Sequence, residues 1–368
     1  MVSILALAPA RANAQTHGWE TLATSEPARP AQPVIATLAL SPAEAVKDAA
    51  LDQLSLGQKI RLWRAHRRAE AAAAEAAGQA GALIATWYLP ALGVMAAGVL
   101  IWGWWRDVLR PGSFRRSGWR EVDHNGAALW VAAGLAIYGA WILGMGLAAS
   151  QPWLTGMTRL DASPPTVRFQ AVAGLGGTIA AVPMALAMCR LLGNRRGASK
   201  SGADASQGLR MRWGDAPRGI GLMVMSWPFV ALAGFAAAAA VEIWTAQPID
   251  PIAHETLATI RTGEGGMWRW ALLVAPIIGA PIVEEIVFRV CLQGALLSLL
   301  GRGWLAILLA SAIFAVIHAG IADAHALVPL CVLGVAMGIA YERTRRLGVP
   351  IVMHMAFNAV NVLVVVWA

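Results

Sequence analysis

Along this chain, apolar residues gather into eight long segments, at roughly residues 82–105, 126–149, 170–193, 219–243, 268–300, 304–320, 324–342 and 349–367, separated by short polar stretches. Most approach the ~20 residues a helix needs to cross the hydrocarbon core of a bilayer. The predicted fold is therefore all-α, a polytopic membrane helical bundle of about eight transmembrane helices. The fifth segment is longer, and Gly279-Ala280-Pro281 is expected to bend it. Backbone freed by such a proline is tolerated only against neighbouring helices or water. The chain divides into three regions: a tail over 1–80, four transmembrane helices over 81–263, and a C-terminal transmembrane region over 264–368.

Within the tail, Met1–Gln15 has a short apolar run ending in Ala-Asn-Ala, like the end of a signal peptide, but it lacks the basic n-region. A processed leader and an accidental likeness both fit. Residues 16–40, rich in Pro, Ala and Thr, read as irregular. Ser41-Pro42-Ala43-Glu44 reads as a helix start, with Ser as N-cap, Pro in the first turn and Glu at the capping-box position. The helix predicted over 41–78 carries Lys59, Arg61, Arg64, Arg67 and Arg68, which suits a solvated or membrane-surface helix.

Composition narrows the class further. With 58% hydrophobic and 14% charged residues, the chain is far from the about 45–50% apolar and about 25% charged of ordinary globular domains. Its mean hydropathy is +0.57. The net charge of +8 is accordingly not a nucleic-acid footprint, because most arginines sit in short loops where they set orientation. Lys and Arg favour the loops after segments one, three, five and seven, which are expected to be cytoplasmic, with both termini outside. Trp102, Trp104, Trp105, Trp153, Trp268 and Trp270 flank segment ends as interface anchors do. Cys189, Cys291 and Cys331 all lie within or beside apolar segments and form neither a disulfide framework nor a CxxC site. They read as packing residues, which argues against a cysteine nucleophile.

The polar exceptions inside the late apolar segments carry the chemistry. They are Glu284-Glu285-x-x-x-Arg289, Phe314-x-x-x-His318 and His354-x-x-x-Asn358. An ionisable side chain at such depth costs several kcal/mol unless it is paired or faces water. On a helix Glu285 and Arg289 share a face in the favourable order for an ion pair, whether for packing or for support of a site. Glu284 is rotated about 100° from Glu285, which leaves it to meet a water as general base. His318, taken alone, fits a hydrogen-bonded packing residue as well as a functional one. His354 and Asn358 share a face that Asn361 continues. They fit either polar glue between helices or a pair of donors aimed at one developing oxyanion. The segment limits place His318 about 9 Å from the depth of Glu284 and Asn358.

In this order on successive late helices, the three motifs resemble the CPBP family, the type II CAAX prenyl endopeptidases and their bacterial relatives, over about residues 265–365. That family includes bacteriocin-processing and self-immunity proteins. The resemblance implies an intramembrane endopeptidase. Glu284 would be the catalytic glutamate and His318 would help activate the water. His354 and Asn358 would hold the oxyanion, with Glu285 and Arg289 in support. Val290 stands where members often have Gly after the arginine. Both a metalloprotease and a metal-free glutamate protease are compatible with the likeness. Glu284, His318 and His354 could hold zinc with one position left for water, yet no HExxH spacing is present, and the expectation is of no cofactor. The expected partners are a membrane-embedded or membrane-associated polypeptide substrate and the lipid bilayer, with no nucleic acid. The signal-like start and Ala- and Arg-rich composition suggest a bacterial inner membrane. Two alternatives use the same buried polar cluster: a proton-coupled transporter, which would call for paired broken helices, and a non-catalytic immunity or scaffold protein.

Overall fold

The computed structural model describes residues 54–76, 81–109, 124–156, 167–196, 211–246, 249, 255–261 and 266–367. The signal-like start, the irregular stretch 16–40 and the Ser41 cap lie outside them. The described helices are α1 (Leu56–Ala76), α2 (Gly81–Trp105), α3 (His124–Ala149), α4 (Val167–Arg196), α5 (Asp215–Thr245), α6 (Glu255–Arg261), α7 (Trp268–Leu300), α8 (Gly303–Val316), α9 (Ala324–Thr344) and α10 (Gly348–Trp367). A single helical turn, Pro152–Thr155, lies just beyond the end of α3.

Seven of these, α2, α3, α4, α5, α7, α9 and α10, are long and apolar enough to cross a bilayer. The all-α bundle is as expected, and of the eight apolar segments the sixth is the short one. There the helix stops at Val316 after 14 residues, about 21 Å at 1.5 Å per residue, short of the ~30 Å core. The stretch 317–323 turns back instead, with Ile321 and Ala322 bonding to the His318 carbonyl. α8 and α9 thus form a hairpin with one short arm.

α7 is the central helix, and it runs on through Gly279-Ala280-Pro281, where a bend was expected, with altered helical geometry. It widens into π-helical turns at Ala275–Gly279 and Ile286–Gln293, with α-helix between and on either side. The first widening has a local cause. Ala280 N–H bonds to Ala275 O, the i→i−5 pattern. Pro276 O therefore loses its ordinary partner, and the next donor along, at Pro281, does not exist because proline has no N–H.

α3, α4, α8, α9 and α10 pack against α7, and α5 packs on α9 and α10. Small residues let α3 and α4 touch backbone to backbone: a Cβ placed on Gly176 would lie 2.3 Å from Ala148 Cβ and 2.7 Å from Gly144 O. In lipid, where tail and side chain are equally apolar, such close approach supplies the van der Waals contact that drives association. The main core cluster includes Ile137, Val283, Phe288, Phe314, Met337 and Met353, and a second joins Val167, Ile260, Leu272 and Val362. α2 is peripheral. It packs on α5 through Leu92 against Ala231 and through Tyr88, which takes a 3.3 Å hydrogen bond from Trp227 Nε1.

At one end of the bundle, Arg343 donates to the carbonyls of Asp107 and Val108. There too, Arg346 pairs with buried Asp215 at 2.7 Å. The loops after segments one, three and seven therefore lie together, as alternating spans require. α1 docks elsewhere, on the opposite end of α5: Trp63 and Arg67 both donate to Glu242 and Lys59 to the Trp244 carbonyl.

Candidate active site

Glu284 and Glu285 close the α-helical turns between the two π segments of α7, so the helix geometry there differs from that on either side. Glu285 is fully buried and bonded twice. Its Oε2 accepts from Arg289 Nε at 2.9 Å, the i,i+4 pair read from the sequence. Its Oε1 lies 3.1 Å from His354 Nδ1 on α10, a link between two helices that the spacing of residues did not reveal. The Arg289 guanidinium in turn sits over the Phe314 ring, 5.6 Å from its centre. Phe314 meets Phe288 edge-on at 5.1 Å and His354 at 5.7 Å. A buried ion pair needs such further bonds to offset the loss of its hydration.

These contacts fix both imidazoles. A carbonyl can only accept, so His318 Nδ1, 2.7 Å from Phe314 O, carries the hydrogen. A carboxylate held by arginine also accepts, which puts the hydrogen of His354 on Nδ1. In the neutral form of either ring, Nε2 then carries the free lone pair. Both point at the same atom: Glu284 Oε2 lies 4.0 Å from His318 Nε2 and 3.8 Å from His354 Nε2. That oxygen is buried and makes no hydrogen bond. With the rings neutral, three acceptors from α7, α10 and the turn after α8 surround one small volume, and a water there can donate to two of them at a time.

The 9 Å offset expected for His318 vanishes because α8 is short. Its end falls opposite the middle of α7 and α10 rather than at the far surface. Asn358 has one N–H engaged elsewhere: its amide donates at 2.7 Å to Pro276 O, the carbonyl that the first π turn leaves without a backbone partner. That bond ties α10 to α7 about two turns before Glu284. Asn361 donates to Phe357 O within its own helix at 3.0 Å.

Fitness for a metal can be judged from the same atoms. The donor types suit zinc, but among the described residues no group of three or more His, Cys, Asp and Glu side chains is arranged to hold a metal ion.

Comparison with known proteins agrees with the motif order. Residues 266–360 match the family described as Rce1-like, type II CAAX prenyl endopeptidase Rce1-like. This C-terminal region belongs to the CPBP family. The curated Bacillus subtilis (strain 168) protein named "Putative membrane peptidase YdiL" is 37% identical to the chain over 87 residues. That match covers 24% of this chain and about a third, 34%, of the relative. No solved structure matches the chain. The CPBP region contains every residue of the Glu284 cluster, while α1 to α5 lie outside it.

Proposed function

We propose that the protein is an intramembrane endopeptidase that hydrolyses a peptide bond of a membrane-associated polypeptide with a water activated by Glu284. The observation that carries this reading is the convergence of two imidazole Nε2 atoms on the unbonded Glu284 Oε2. A bridging water would donate one O–H to an imidazole Nε2 of His318 or His354 and give its other proton to Glu284 as its oxygen attacks the carbonyl carbon. The same proton then passes to the amide nitrogen as the C–N bond breaks, leaving a carboxylic acid and an amine, which then ionise to carboxylate and ammonium. Glu285, ion-paired with Arg289, holds His354 in the tautomer that keeps Nε2 available. The proposed setting is a bacterial inner membrane. The proposed chemistry is metal-free, in keeping with the absence of an HExxH spacing.

The test is cleavage of a library of membrane-segment peptides by the purified protein in lipid nanodiscs. Glu284→Gln and His318→Ala are each expected to lower turnover at least about 10²-fold, the usual worth of a general base. Chelation is expected to leave the rate unchanged. Turnover surviving both substitutions would overturn the assignment of the base. Loss on chelation with recovery on added zinc would overturn the metal-free mechanism.

A further inference from the structure

The Glu284 cluster is rich in acceptors and short of donors. Glu284, His318 and His354 offer lone pairs, and one N–H of Asn358 is committed to Pro276 O. A peptide carbonyl gaining negative charge needs a donor, and one comes from outside the CPBP region, on α3.

Two sets of contacts fix the register of α3 against α7. Cβ atoms built on Gly174 and Gly279 would meet Ala275 and Thr178, so α4 and α7 run side by side in the same direction. α3 crosses α4 in the opposite direction, with Gly144 against Gly176 and Ala180, and Trp141 against Gly177. Hence Gly144 stands near the level of Gly279. Further back on α3, a Cβ on Gly134 would lie 3.3 Å from Cys291 and 3.7 Å from Val287. Tyr138 falls between these two levels, one turn beyond Gly134, opposite Glu284.

The side chain is suited to the position. Ile137 and Gly134 are buried, while Tyr138 lies at the edge of the packed face and is 37% exposed. It is close enough to Glu284 for the two to interact electrostatically. Among the described residues no hydrogen bond engages its hydroxyl. An apolar span carries such a hydroxyl at a cost that a phenylalanine would not incur.

We propose that Tyr138 is a substrate-contacting residue of this site, its hydroxyl donating a hydrogen bond to the carbonyl oxygen of the peptide bond under attack. This role rests on the proposed hydrolysis at Glu284. It also makes α3 part of the active site.

The experiment measures kcat and KM for the best-cleaved library peptide, using the full chain in nanodiscs. Tyr138→Phe, Tyr138→Leu and Glu284→Gln are compared with the unaltered protein. Tyr138→Phe keeps the ring and removes only the donor. It is expected to lower kcat on the order of 10²-fold, as loss of one oxyanion donor does, with KM within about twofold and the thermal unfolding midpoint unchanged. Wild-type kcat in Tyr138→Phe, with loss only in Tyr138→Leu, would reduce the residue to packing and overturn the proposal. A raised KM at unchanged kcat would overturn it too. In both cases an inactive Glu284→Gln would leave the hydrolytic reading standing. Full activity in Glu284→Gln, or no cleavage by the unaltered protein, would remove that reading and this role together.

Discussion

Asn358 shows how one residue can be read two ways until its neighbours are known. Its spacing from His354 suits an oxyanion pair, yet its amide caps a carbonyl that a proline five residues further on cannot bond. An unpaired carbonyl in a dry interior costs about 1–3 kcal/mol. Asn358→Ala is therefore expected to destabilise the fold by about that amount, measured by thermal unfolding in nanodiscs. Pro281→Ala restores the missing N–H. The Asn358→Ala/Pro281→Ala pair should accordingly be more stable than Asn358→Ala alone, a coupling that a double-mutant cycle isolates. Additive losses would show that Asn358 does not act through this carbonyl. The Glu285–Arg289 pair, by contrast, was legible from an i,i+4 spacing alone; its extension to His354, 69 positions away, was not.

Helices meet here through choices of small residues that a hydropathy pattern does not register. Gly176 sits where a single methyl would strike both Ala148 and the Gly144 carbonyl. Backbone cannot give way as a flexible side chain can. Gly176→Ala is expected to cost about 1–3 kcal/mol through overpacking, seen as a lower unfolding midpoint, and Gly176→Leu to prevent folding of the α3–α4 pair. An unchanged midpoint in Gly176→Ala would mean that α3 and α4 are not held this closely. At the same scale, the two π segments of α7 change the direction in which successive side chains leave the helix. π turns are rare and concentrate at functional sites, and these two flank the Glu pair. Their position is not written in periodicity, since a π turn inserts one residue without altering composition.

Over the whole molecule, the short α8 leaves the alternation of sides intact, because α8 and α9 leave and return to the same end. The loops after segments one, three and seven meet there through Arg343 and Arg346, and by its positive charge that end is predicted to face the cytoplasm. Trp213 at the start of α5 and Trp153 after α3 are 98% and 73% exposed and lie at opposite ends by this count. Trp213→Cys is expected to react with an impermeant thiol reagent only from the cytoplasmic face, and Trp153→Cys only from the other. Labelling of both from one face would refute the orientation. The buried native cysteines, Cys189 and Cys291, should give little background.

Runs of about twenty apolar residues by themselves determined that the chain is a helical membrane bundle, because unpaired backbone is too costly in hydrocarbon to allow other spans. Buried acids, imidazoles and arginine in three late segments likewise marked where chemistry lies, because their cost demands a use or a partner. Tertiary structure alone decided which atoms face one another. It stopped α8 at the depth of Glu284, turned two imidazoles toward one oxygen and committed Asn358 to Pro276. It also set Tyr138, about 150 residues upstream, at the level of the same carboxylate. Those outcomes depend on helix crossing and register, which arise from contacts between segments rather than from the order of residues within any one of them.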